Sequence, residues 1–100
     1  MIKRENVAYN NVWFKEHIAP QMSTFDIQYR YFSQGDFGSL DEVNFESERF
    51  IGTINYWGNG FLSVTLFDNI MNDIVVNIMV DSDIENDKLA AMNDLLDHIL

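Results

Sequence analysis

The sequence predicts an α+β domain: an antiparallel four- to five-stranded meander sheet with an N-terminal and a C-terminal helix packed on it. Two observations carry this. Apolar residues recur at near-helical spacing before Pro20 and again after Asp81, and at a spacing of two in between. Turn clusters cut the middle stretch into short pieces, which favours strands joined by hairpins. At 100 residues the chain has the size of one domain, taken as 1–100.

The first helix is expected over 5–19. Val7, Phe14 and Ile18 form its stripe, widened by Ala8, Val12 and Trp13, and Pro20 ends it because the residue before a proline avoids the α region. From Phe25 the period becomes two: Phe25, Ile27, Tyr29 and Tyr31 share one face, and Asp26, Gln28 and Arg30 the other. Residues 34–39, Gln-Gly-Asp-Phe-Gly-Ser, are a turn cluster. Val43 and Phe45, alternating with Asn44 and Glu46, mark a short second strand, and Phe50 to Trp57 a third. Gly52 inside that third strand signals a bulge or a close approach by a neighbour. Gly58-Asn59-Gly60 is a tight hairpin signal leading into a fourth strand, Phe61 to Phe67. After a turn begun by Asp68-Asn69, the fifth strand, Ile74 to Val80, is rich in Val and Ile and is expected to be central or well covered.

The last helix is expected over 84–99. Ser82 followed by Glu85 is a capping-box pattern, and Asp83, Glu85 and Asp87 suit the positive end of the helix dipole. Leu89, Met92, Leu96 and Ile99, with Leu95 beside them, should lie on the sheet. On this reading Ser82→Ala costs about 1 kcal/mol and Leu96→Ala about 2–5 kcal/mol.

Composition narrows the function. Sixteen acidic side chains face six basic ones, a formal charge of -10. After Arg49 the one base is Lys88, against Asp68, Asp73, Asp81, Asp83, Glu85, Asp87, Asp94 and Asp97. A phosphate backbone is therefore not the expected partner, because nucleic-acid binders need a basic footprint. A compact acidic domain attracts a strongly basic protein quickly; the plainer alternative is that the acids only confer solubility. Hydrophobic residues make up 47% and aromatic residues 14%, enough for one core. There is no cysteine, so disulfides and thiolate chemistry are excluded. Met1 to Asn6 carry charge with no apolar stretch behind them, and no apolar run is long enough to span a bilayer, so a cytoplasmic location without membrane contact is expected.

Catalytic signatures are weak, and no enzymatic activity, metal or cofactor is expected. His17 and His98 each sit near the end of a helix, where a cation complements the dipole. No nucleophile elbow accompanies them. Asp81, Asp83, Glu85 and Asp87 alternate like a calcium loop, but Asn86 stands where the loop needs Gly and Met92 where it needs Glu. Asp36-Phe37-Gly38 spells a kinase metal-binding tripeptide without the glycine-rich loop or catalytic loop that gives it meaning. Tyr56 and Trp57 are consecutive in a strand and so point to opposite faces; Trp57 shares its face with Ile51, Thr53 and Asn55, and an aromatic beside carboxylates suits a protein-binding hot spot.

Phe32-Ser33-Gln34-Gly35-Asp36-Phe37-Gly38, then Val43 and Phe45, then Gly52, Ile54 and Tyr56-Trp57, then Gly60-Phe61-Leu62 and Val64, form a pattern that resembles small bacterial immunity proteins. These accompany polymorphic toxins, including those of contact-dependent growth inhibition. The likeness covers residues 32–68 and rests on turn glycines and strand aromatics. It implies a non-enzymatic inhibitor that binds one cognate toxin C-terminal domain in the cytoplasm, and a nuclease toxin with a basic cleft would suit the charge. The toxin-binding candidates are then Asp36, Asp41 and Glu42 after the first strand, Glu46 and Glu48 facing out from the second, and Tyr56 and Trp57 closing the third, as one acidic patch with an aromatic edge. Asp94 and Asp97 flank a buried stripe and read as solvated positions. The rival readings are a small ligand-binding or enzymatic α+β domain and a self-associating structural subunit; the oligomeric state is left open.

Overall fold

The computed structural model describes residues 8–81 and 85–100. It contains α1 (Asn11–His17), a single 3-10 turn (Ala19–Gln21), β1 (Asp26–Gly35), β2 (Gly38–Glu46), β3 (Phe50–Trp57), β4 (Leu62–Asp68), β5 (Asp73–Val80) and α2 (Glu85–Ile99). The strands form one antiparallel sheet in sequence order, β1-β2-β3-β4-β5. This is the expected α+β meander. No helix among the described residues is long and apolar enough to cross a membrane.

Alternation decides which way each strand faces. Val43 and Phe45 of β2, Phe50, Ile54 and Tyr56 of β3, Leu62, Val64 and Leu66 of β4, and Val76 and Val80 of β5 are all buried. Against them pack Trp13, Phe14 and Ile18 from the α1 region and Ala91, Met92, Leu95 and Leu96 from α2. Both helices thus lie on one side. Phe14 meets Tyr29 of β1 edge-on with ring centroids 6.4 Å apart, and the Tyr56 hydroxyl reaches the Met92 sulfur at 3.8 Å. Burial pushes the Tyr56 phenol far above its ordinary pKa, with lesser contributions from Tyr9, Asp41 and Tyr29.

Several expectations shift in detail. The first helix begins later than the apolar pattern implies: Asn10 is its N-cap, its Oδ1 accepting from the Trp13 N–H at 2.8 Å. Val12, placed on the buried stripe by spacing, is 65% exposed because a helix of 7 residues offers only a narrow buried face. Tyr31 is likewise exposed. The buried stripe of α2 sits one residue away from the leucine-based estimate, so Lys88 is buried while Leu89 is only half-buried. The Lys88 ammonium lies 5.0 Å from the Tyr9 ring centroid. The capping box falls on Ser82, outside the described residues. The fifth strand is not central: β5 is an edge, its Val and Ile residues serving one face packed under α2 while Ile74 and Met79 stay exposed. A register shift between Leu66 and Phe67 leaves Val75 as an extra residue on β5, a bulge of the kind that interrupts an edge.

Gly52 is a close approach, not a bulge. Its pairing with Phe45 and Leu66 runs through unbroken register. A Cβ there would overlap the buried Phe45 ring and come within 3.1 Å of Leu66 Cδ1. Gly52→Ala is expected to cost about 1–3 kcal/mol by overpacking. Adding Phe45→Leu should recover part of that loss, and urea melts of the two single variants and the double variant test it: strictly additive losses would mean that the ring is not the obstacle.

The hairpin turns are tied together at both ends of the sheet. At one end, the Gly58 N–H donates to the Ser39 carbonyl at 2.7 Å and the Asn59 N–H to Phe37 at 3.1 Å. Gly38, at φ +92°, takes the left-handed conformation that this approach needs. At the other end, the Asn69 N–H donates to the Arg49 carbonyl at 2.7 Å, and Arg49 Nη2 meets Asp68 Oδ2 at 2.9 Å. The second Asp68 oxygen accepts from the Ile70 and Met71 N–H groups at 2.9 and 3.1 Å. The Arg49 hydrogen bond, aided by these N–H groups, holds the Asp68 carboxyl below its ordinary value. A depressed folded-state pKa adds stability above the unfolded pKa and loses it as pH falls through the folded value. Asp68→Asn should therefore flatten the acid side of the stability profile, below the ordinary carboxylate range. Melting curves from neutral pH down into that range measure this; an unchanged slope would remove Asp68 from the account.

Candidate functional site

One face of the sheet carries the helices. On the other, described side chains line up in rows across the strands, because directly paired residues share a face. Phe32, Leu40 and Trp57 make an apolar row near the β1–β2 and β3–β4 turns. Next come Arg30, Glu42, Asn55, Ser63 and Met79, then Gln28, Asn44, Thr53, Thr65 and Asn77, and last Asp26, Glu46, Ile51, Phe67 and Ile74. An apolar row at one end and a row of two acids and three apolar residues at the other thus enclose a polar belt.

The belt is held by its own hydrogen bonds. Arg30 Nη1 lies 3.5 Å from Glu42 Oε1. Asn44 Nδ2 donates to the same oxygen at 2.7 Å, and Thr53 Oγ1 donates to Asn44 Oδ1 at 2.8 Å. Farther along, Asn55 Nδ2 donates to Ser63 Oγ at 3.1 Å. Such linked side chains form a pre-positioned surface, which lowers the ordering cost of binding.

The last row is the unusual one. Asp26 pairs directly with Glu46 across β1 and β2, and both are exposed. Neither carboxylate has an ion pair among the described residues. Like charges set directly opposite destabilise a sheet. Beside them is a shallow hollow of about 220 Å³ lined by Asp26, Gln28, Asn44, Glu46, Ile51 and Thr53. Ile51 is 44% exposed and Ile74 is 54% exposed, and Ile70 and Met71 in the β4–β5 turn are exposed too. Acid, hollow and apolar margin adjoin on one surface.

The seven sequence candidates are not one patch. Glu42 and Glu46 share the open face with Trp57, whose ring packs edge-on to Phe37 with centroids 5.3 Å apart. Asp36 is exposed at the β1–β2 turn and Glu48 in the β2–β3 turn at the opposite end. Asp41 and Tyr56 face the helix side and are corrected here. Asp41 has the strand parity of Val43 and Phe45, and its Oδ2 accepts from the Asn11 N–H at 2.8 Å, at the start of α1. Tyr56 is only 3% exposed, within the core. Ile51 lies on the face of Trp57 as expected; Asp26, Phe67 and Ile74 were not among the candidates, since cross-strand register places Asp26 and Phe67, and the bulge at Val75 turns Ile74 away from the side of the buried Val76.

His17 and His98 stand apart from this face: the His17 ring stacks near Trp13, with centroids 5.4 Å apart, and His98 Nδ1 lies 2.9 Å from the Asp94 carbonyl oxygen. No group of three or more His, Asp or Glu side chains among the described residues is arranged to hold a metal ion. Compared with family models, curated proteins and solved structures, the chain finds no match in any of the three.

Proposed function

We propose that this chain is a non-enzymatic immunity protein that binds a basic toxin domain in the cytoplasm through the open face of its sheet. The observation that carries this reading is the Asp26–Glu46 pair, two exposed carboxylates set directly opposite each other beside a hollow and the exposed Ile51. In the free protein that arrangement costs stability. A lysine or arginine inserted between the two carboxylates turns the cost into attraction, while Ile51, Phe67 and Ile74 supply the apolar contact that charge alone lacks. The net charge of -10 supports fast capture of such a partner. The likeness of residues 32–68 to immunity proteins supports the choice of a toxin as that partner.

Co-expression with the C-terminal domain of the protein encoded by the adjoining gene, followed by co-purification, tests the pairing. The association rate should then fall steeply between low and physiological salt. Failure to form a stoichiometric complex would sink the immunity reading, whereas a complex with a flat salt dependence would remove only its electrostatic part.

A further inference from the structure

The edge strand β5 and helix α2 frame a second surface, on the other side of the molecule from the β1–β2 acids. A groove of about 500 Å³ runs between them, lined by Ile78, Met79, Ala90 and the carboxylate-bearing Asp81, Asp87 and Asp94. All three acids are exposed. Among the described residues the groove lining holds no lysine or arginine; His98, whose Nδ1 is 3.9 Å from Asp94 Oδ1, is the neighbouring base, and it is charged only when protonated. No strand lies beyond β5 among the described residues, so alternate residues of β5 point their N–H and C=O groups outward. The opposite edge differs: at β1, the Asn11 amide donates to the Arg30 carbonyl at 3.1 Å.

The geometry points to this groove as the seat of an extended basic segment of a partner protein, added as a sixth strand on β5. Each feature selects part of that occupant. Beyond the bulge at Val75, the outward edge of residues 76–80, unpaired among the described residues, takes main chain in strand conformation. Met79, on the open face, takes the small or branched apolar residues of the added strand, and the alternate positions turn toward α2, beside Ile78 and Ala90. Asp87 and Asp94 lie two helical turns apart on α2 and so face the same direction, with Asp81 at the end of β5. They take the lysines or arginines that alternate with the apolar positions. A second copy of this chain is disfavoured, because antiparallel pairing of two β5 edges would bring the same acids together. The inference does not rest on the toxin reading, which centres on the Asp26–Glu46 pair.

The test is titration of the 15N-labelled full chain with the blocked peptide Lys-Val-Lys-Val-Lys-Val, followed by amide shifts. Shifts should concentrate on residues 77–81 and 87–94. The double variant Asp87→Asn with Asp94→Asn should bind about threefold or more weakly, and the same peptide N-methylated at alternate amides should lose binding. Four results would each overturn the inference: no shifts at millimolar peptide, shifts centred on Glu46 and Thr53 instead, an N-methylated peptide that binds equally, or a mass that doubles with protein concentration. Unchanged affinity in the double variant would overturn the charge assignment and with it the choice of a basic occupant.

Discussion

Asp26→Lys combined with Glu46→Lys should weaken binding of the proposed basic toxin domain by about a hundredfold, because like-charge contacts at an interface cost several kcal/mol. The fold should survive. The two residues are direct cross-strand partners, so the double change replaces two carboxylates facing each other with two ammonium groups facing each other, and the repulsion within the sheet is unchanged in kind. Both positions are exposed, so no core contact is lost. Growth protection against the toxin and the affinity of the purified pair both report the effect. Asp97→Lys, an exposed change on α2, serves as the control and should leave protection nearly intact. If the control abolishes protection and the strand pair does not, the partner sits on the helix side and the assignment of the open face is wrong.

Leu95→Ala should cost about 2–5 kcal/mol, the range for a leucine removed from a packed core. Leu95 is completely buried, one turn after Met92 and Ala91, where α2 presses against β4 and β5. The neighbouring wall is sheet backbone with Val64 and Leu66 pointing at the helix, and a sheet does not close readily over a void. Against a typical domain stability of about 5–15 kcal/mol, such a loss takes a large share of the total. Asp97→Ala on the opposite side of the same helix should change stability by less than about 0.5 kcal/mol. Equal midpoints for the two variants in urea would mean that α2 packs through a different face.

What the sequence made legible followed from period and punctuation. β3 is observed over the residues expected for it, because alternation and two turn signals bound it on both sides. Parity alone placed Tyr56 with Phe50 and Ile54, and the structure buries all three. The same count, carried through β2, would have put Asp41 with Val43 on the helix side. Reading a carboxylate as exposed because it is a carboxylate overrode that count, and the start of α1 proved to be its partner. For β5, Val and Ile content pointed to a central strand, although a meander necessarily leaves its last strand at an edge. The Asp26–Glu46 pairing was not legible at all, since it depends on cross-strand register, which period does not specify. Lys88 was hidden for a related reason: hydropathy marks the leucines of a helix, not a lysine that buries its stem and sets its ammonium near the Tyr9 ring.

The most direct test of the central claim is a cross-saturation footprint on the toxin complex. With the toxin protonated and irradiated, and this chain deuterated except at its methyl groups, the methyls of Ile51, Thr53, Thr65 and Ile74 should lose intensity. Those of Leu95 and Val64, under the helices, should keep theirs. Saturation confined to methyls of α2, with the open face untouched, would contradict the account.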